Sequence, residues 1–158
     1  MHVKNASVVL LTLWLLLATL DVQAQSGGTI QGDSVRVGPY TPERGSPERK
    51  AIVDALRLPV KRQLKQGVIF RIGHLKLEKG WAFLLGAPQT PDGGSIDYTG
   101  TVYEEAVDAG AFDDGIVALL RKTNGKWRVV QYVIGATDVP YVDWDTKYRA
   151  PRGIFKLD

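Results

Sequence analysis

The chain contains no cysteine. That absence excludes disulfides, a thiolate nucleophile, thiolate-ligated zinc, iron–sulfur clusters and lipid attachment through an N-terminal cysteine. Histidine is nearly as scarce, with only His2 and His74. A histidine-rich metal site therefore lacks ligands. Charge of one sign is not in strong excess either: 20 Lys and Arg stand against 17 Asp and Glu, a net of +3. Such a balance does not point to nucleic acid, which needs basic residues gathered on one face. Low-complexity tracts and internal repeats are missing too. With 44% apolar and 23% charged residues the composition suits a folded chain, and 158 residues suit one domain.

What is present begins with one long apolar run. Val8 to Leu20 is almost unbroken, Lys4 precedes it, and Val22-Gln23-Ala24 offers the residues that signal peptidase needs at its cleavage site. Residues 1–24 read as a secretory signal peptide. The run is short for a membrane span, which takes about 20 apolar residues; an uncleaved anchor is the alternative. Export without cysteine points to a bacterial envelope, periplasmic or secreted, where folding does not depend on disulfides. No membrane segment is expected after cleavage. Residues 25–45, with Gly27-Gly28, Gly38-Pro39 and Thr41-Pro42, read as a flexible leader in which Val35 and Val37 can pair briefly.

The expected domain spans residues 46–150. Ser46-Pro47-Glu48 is a helix start, with a capping hydroxyl, a proline that loses no needed N–H, and an acid at the positive end of the dipole. Ile52, Leu56, Val60 and Leu64 then recur every fourth residue, one stripe for packing on a sheet. Pro59 should kink this helix or end its first part near Leu58. Val68, Phe70 and Ile72 alternate as a strand, and a phase slip to Leu75 and Leu77 predicts a β-bulge at Gly73-His74. After a tight turn at Glu78-Lys79-Gly80, Trp81, Phe83, Leu85 and Ala87 mark a second strand. A short helix is expected over 102–108. Asn124-Gly125 predicts a two-residue hairpin turn that sets Lys122 opposite Trp127, Leu120 opposite Val129 and Ala118 opposite Gln131. The other face then carries Val117, Leu119, Val130, Tyr132 and Ile134. Both faces of this hairpin are apolar, so the helix covers one, and the C-terminal segment, a partner chain or a ligand covers the other. A helical turn is expected near 142–148, and residues 151–158 read as a loose tail.

The fold class is α+β: one N-terminal helix packed on a curved antiparallel sheet of about four strands. The order of helix, hairpin, irregular insert and hairpin resembles the cystatin-like and NTF2-like rolls. Ser46-Pro47-Glu48-Arg49-Lys50-Ala51-Ile52, Ala111-Phe112-Asp113-Asp114-Gly115 and Trp127-Arg128-Val129-Val130 resemble segments of exported bacterial proteins. The resemblance covers roughly residues 46–145 and implies a fold, not a function. NTF2-like rolls include isomerases, dehydratases and pure binding modules.

His74, at the expected bulge, is the candidate general base, with Asp97 or Asp113 as the acid that orients it. A half-buried strand histidine and good turn chemistry account for the same residues more plainly. Asp113-Asp114-Gly115 and Asp143-Trp144-Asp145 lack the spacing of a calcium loop, so no metal is expected. Glu104, Glu105 and Asp108 read as the solvent face of the short helix. No nucleophile elbow and no phosphate-binding loop occur, and no cofactor is implied. Trp81, Tyr98, Tyr103, Tyr132 and Trp144 are candidate binding residues that would line a concave face, or else form core and rim.

The expectation is an exported envelope protein, more a binding module than an enzyme, with an unidentified protein or small molecule as partner and a homodimer as one way to cover the second apolar face. The alternatives are a small pocket isomerase or lyase using His74, and a hydrolase inhibitor presenting residues 88–97 as a loop.

Overall fold

The computed structural model describes residues 37–157. The signal-peptide reading of residues 1–24 and most of the leader lie outside them. The elements are α1 (Pro47–Leu64), β1 (Ile69–Glu78), β2 (Trp81–Gln89), α2 (Glu104–Asp108), β3 (Ile116–Thr123), β4 (Lys126–Ile134) and α3 (Trp144–Tyr148), followed by a 3-10 turn, Arg152–Phe155. The four strands form one curved antiparallel sheet in the order β1-β2-β3-β4. The fold is α+β, with its long helix N-terminal to the sheet.

Helix α1 starts as its sequence dictates. The Ser46 hydroxyl accepts a hydrogen bond from the Arg49 amide at 3.2 Å, and Pro47 occupies the first turn. The helix does not end at Leu58; it runs through Pro59 to Leu64. Proline inside a helix costs about 3 kcal/mol. Val60 and Leu64 follow it and are almost fully buried, and each contributes about 1.5–3 kcal/mol on burial. Packing therefore offsets the broken hydrogen bond.

Both hairpin turns have positive φ at both central residues, Lys79-Gly80 and Asn124-Gly125, as a type I′ turn requires. The expected bulge in β1 is present: Ile72 pairs with Gly86 and His74 with Leu85, so Gly73 is the extra residue. A second bulge went unpredicted. Leu120 pairs with Val129, but Leu119 pairs with Gln131, leaving Val130 extra. Ala118 consequently faces Tyr132 rather than Gln131. Tyr132 and Ile134 move to the face that meets α1, because one added residue reverses the alternation beyond it.

The sheet is covered on both sides. On one, Ile52, Leu56, Val60 and Leu64 of α1 pack on Leu84, Leu120 and their neighbours. On the other, Phe83, Val117 and Leu119 meet Trp144, Ala150 and Ile154. Residues 151–157, expected to be loose, instead place Ile154 in the core with no exposed surface. The chain's own C-terminal segment thus covers the second apolar face. The N-terminal side is tied down as well, where Tyr40 and Leu77 exchange main-chain hydrogen bonds of 2.9 and 2.8 Å.

Candidate functional site

The bulge in β1 shapes a hollow of varied chemistry. An extra residue makes the strand bend, and here the backbone of Arg71 and Ile72 closes over Gly86. A Cβ on Gly86 would lie 2.6 Å from the Arg71 carbonyl oxygen, so only glycine fits that position of β2. Beside it the loop 113–115 enters β3. The Asp113 carboxylate accepts the Gly115 amide at 2.8 Å. The Gly135 amide donates to the Gly115 carbonyl at 3.0 Å, and the Asp113 amide donates to the Gly135 carbonyl at 3.3 Å. Gly135 itself has φ +79°, and the Phe112 ring lies where its side chain would be.

Between bulge and loop lies a concavity of about 420 Å³. Arg71, His74, Asp113 and Asp114 bring it charge and hydrogen-bonding groups, Leu85 and Ala87 bring apolar surface, and the half-exposed Leu157 stands at its rim. A smaller hollow of about 210 Å³ continues from it past Gly86 and Gly115 toward Val139, Pro140 and Tyr141. Together they form a surface with apolar walls and a few polar groups, the usual make-up of a small-molecule site.

His74 is half-buried on the face covered by the C-terminal segment. Its ring stands edge-on to Phe83 at 5.8 Å, and its Nε2 lies 3.1 Å from the Ile154 carbonyl oxygen. A carbonyl can only accept, so Nε2 carries the proton and the neutral ring keeps Nδ1 as its basic nitrogen. No carboxylate among the described residues hydrogen-bonds His74.

The structure thus brings His74 and Asp113 to one concavity but leaves Asp97 apart. Asp97 works in a turn near the C-terminal end of α1. Its carboxylate accepts the Thr99 amide at 2.9 Å, and its carbonyl accepts from Gln66 at 2.6 Å. The hydrogen bonds from Thr99, backbone first and then side chain, hold that carboxyl below its ordinary range.

The five aromatic candidates do not share a hollow. Trp81 and Trp144 are buried under the C-terminal segment. Tyr98, Tyr103 and Tyr132 belong to the helix side. There Gln63 donates to the Tyr103 hydroxyl at 2.5 Å, and the Tyr132 hydroxyl donates to the Gln63 carbonyl oxygen. Burial pushes the Tyr98 and Tyr103 hydroxyls up to about 12, with smaller contributions from Asp114 on Tyr98 and from Tyr132 on Tyr103. Burial raises Tyr132 as well. These rings pack and hydrogen-bond within the fold.

Arg71, Gly86 and Leu157 belong to the concavity and were not singled out from the sequence. The available signal was Gly86 itself, since a lone glycine inside a strand marks a close backbone approach. Among the described residues no cluster of three or more acidic or histidine side chains is placed to hold a metal ion. No described helix is long and apolar enough to cross a membrane. Residues 91–95 form an exposed turn, with the Thr90 amide bonded to the Gly94 carbonyl at 3.0 Å between the buried Pro88 and Ile96. Comparison with protein-family models, curated proteins and solved structures gave no match.

Proposed function

We propose that the protein is an exported binding module, a roll of the cystatin-like or NTF2-like kind, that takes a small zwitterionic ligand in the concavity at the β1 bulge. One observation carries this reading: a guanidinium, an imidazole and two carboxylates meet around apolar walls in a single hollow. Arg71 suits a ligand carboxylate, and Asp113 with Asp114 suits an ammonium group. The test is amide shift mapping of the full chain titrated with amino acids and short dipeptides. Saturable shifts at 71–74, 85–87 and 113–115, lost in the Asp113→Asn, Asp114→Asn double variant, are expected. Shifts elsewhere only, or shifts indifferent to the double variant, overturn it. Export rests on residues 1–24, and N-terminal sequencing of protein recovered from the periplasm should begin at Gln25. Protein recovered only from the membrane and starting at Met1 contradicts it.

A second reading, an isomerase or lyase with His74 as base, is favoured by one detail. The Ile154 carbonyl accepts the Nε2 hydrogen bond, leaving Nδ1 as the accepting nitrogen of a residue that lines a hollow with two carboxylates. It requires solvent deuterium to enter a panel of 2-keto acids in the presence of the protein, and His74→Gln to stop it. An exchange rate equal to that of buffer removes the reading.

A further inference from the structure

We propose that the outer edge of β1 takes an extended acidic segment of a partner protein, laid in the groove between that strand and α1. The groove encloses about 540 Å³. Arg44, Arg49, Lys50 and Arg57 line it against a single carboxylate, Asp54. That carboxylate is already engaged twice, by Lys50 at 2.5 Å and by Arg57. A chain whose whole net charge is +3 thus gathers an equal excess along one groove. Partial burial first, and the neighbouring charge of Arg44 second, lower the Arg49 guanidinium from its ordinary value. Three of these four cations are arginines, whose planar forks pair with carboxylates through two parallel hydrogen bonds.

The shape of the groove selects an extended chain. Its floor is apolar, with Val53, Phe70 and Ile72, and the cations stand around it. Successive side chains of a strand point to opposite sides. A segment alternating apolar and acidic residues can therefore place one set on the floor and the other among the arginines. The sheet supplies the remaining contact. β1 is an edge strand, paired only with β2 inside the sheet. Its outer side already accepts strand-like pairing where Tyr40 bonds Leu77 in both directions. Adding a strand to such an edge is a common mode of peptide recognition, in which main-chain bonds give affinity and side-chain pockets give choice. This inference stands apart from the bulge concavity, since Arg44 and Lys50 belong to the groove alone.

The test uses the full chain and a fluorescein-labelled peptide of alternating glutamate and valine. Saturable binding that weakens with salt is expected, with amide shifts at Phe70 to Leu75. The Arg44→Glu, Lys50→Glu double variant should weaken it by about tenfold or more, with no more than the small fall in unfolding midpoint expected from losing the exposed Lys50–Asp54 pair. The same peptide N-methylated at alternate residues keeps its charge and loses the main-chain bonds, and it should bind at least about tenfold more weakly. Equal binding of the methylated peptide overturns the proposal. So does stronger, double-variant-sensitive binding to phosphatidylglycerol vesicles, which would make the groove a site for anionic lipid.

Discussion

The two faces of the sheet are covered in opposite ways. On one, a single regular helix of 18 residues lays an aliphatic stripe across the strands. On the other, two short turns of chain fold back and pack aromatic rings. Phe83 alone has the rings of Tyr141, Trp144 and Phe155 at 4.8, 6.4 and 4.7 Å, with His74 completing its surroundings. The long helix lies closest to β4. Beyond the rim of the short aromatic cover the β1 bulge and the loop 113–115 stay open. The concavity thus lies where the irregular cover runs out. Each layer makes a core and leaves a hollow at the β1 edge, the groove beside α1 on one face and the concavity beside the bulge on the other.

The largest expected effect tests whether the second face is truly a core. Phe83→Ala should cost about 3–5 kcal/mol in urea unfolding, comparable with Leu56→Ala on the helix side at about 2–5 kcal/mol. Ile154→Ala should also fall near 2–5 kcal/mol. A loss below about 1 kcal/mol for either Phe83 or Ile154 would make the C-terminal cover dispensable and dissolve the comparison. Next comes the junction of the two layers at the bulge. Gly86→Ala forces a methyl group against the Arg71 carbonyl and should cost about 1–3 kcal/mol. The His74 ring signals should shift, while those of α1 stay in place.

Alkaline pH separates the faces by a different route. On the helix side Tyr98 and Tyr103 are held near 12, against about 10 in an unfolded chain. The fold binds these protons more tightly than the unfolded chain does. Stability is therefore unaffected below about pH 10 and is lost as pH rises toward about 12. The Tyr98→Phe, Tyr103→Phe double variant should lose less stability between about pH 9 and 11 than the native chain. An identical loss in both would place the alkaline weakness elsewhere. The smallest effect concerns the helix surface. Asp54 bridges Lys50, one turn before it, and Arg57, one turn after it, on the helix surface. Asp54→Ala should cost only about 0.3–0.5 kcal/mol, vanishing at high salt.

The regular face was legible in the sequence, and of the irregular one only the helical turn near 142–148 was, for a physical reason. Ile52, Leu56, Val60 and Leu64 repeat with the helix, and Asn124-Gly125 demands positive φ, so α1 and the β3–β4 turn announce themselves. The β1 bulge showed as a slip in alternation between Ile72 and Leu75. The bulge at Val130 left no such trace, because Val129, Val130, Tyr132, Val133 and Ile134 are apolar on both faces and a shift among them changes no pattern. The cover of the second face is too short for any period to appear. Ile154 sits between Gly153 and Phe155 in a four-residue turn, and only tertiary packing shows that it is core. For the site, sequence picked His74 and Asp113 by their chemistry. It could not tell that Asp97 lies in a different part of the fold, since contact across a sheet depends on register.

The extra residue in β1 also fixes which face each half of that strand turns to the helix. Phe70 and Ile72 lie on the helix side before the bulge, and Leu75 and Leu77 lie there after it. Without Gly73 the alternation would run on unbroken, and everything before it would turn over. Phe70 and Ile72 would face away from α1, and Arg71 would be driven toward the core. A one-residue deletion here is therefore a graver change than most substitutions. Among descendants of this chain, insertions and deletions should gather in the turns, while the spacing from Phe70 to Leu75 stays constant.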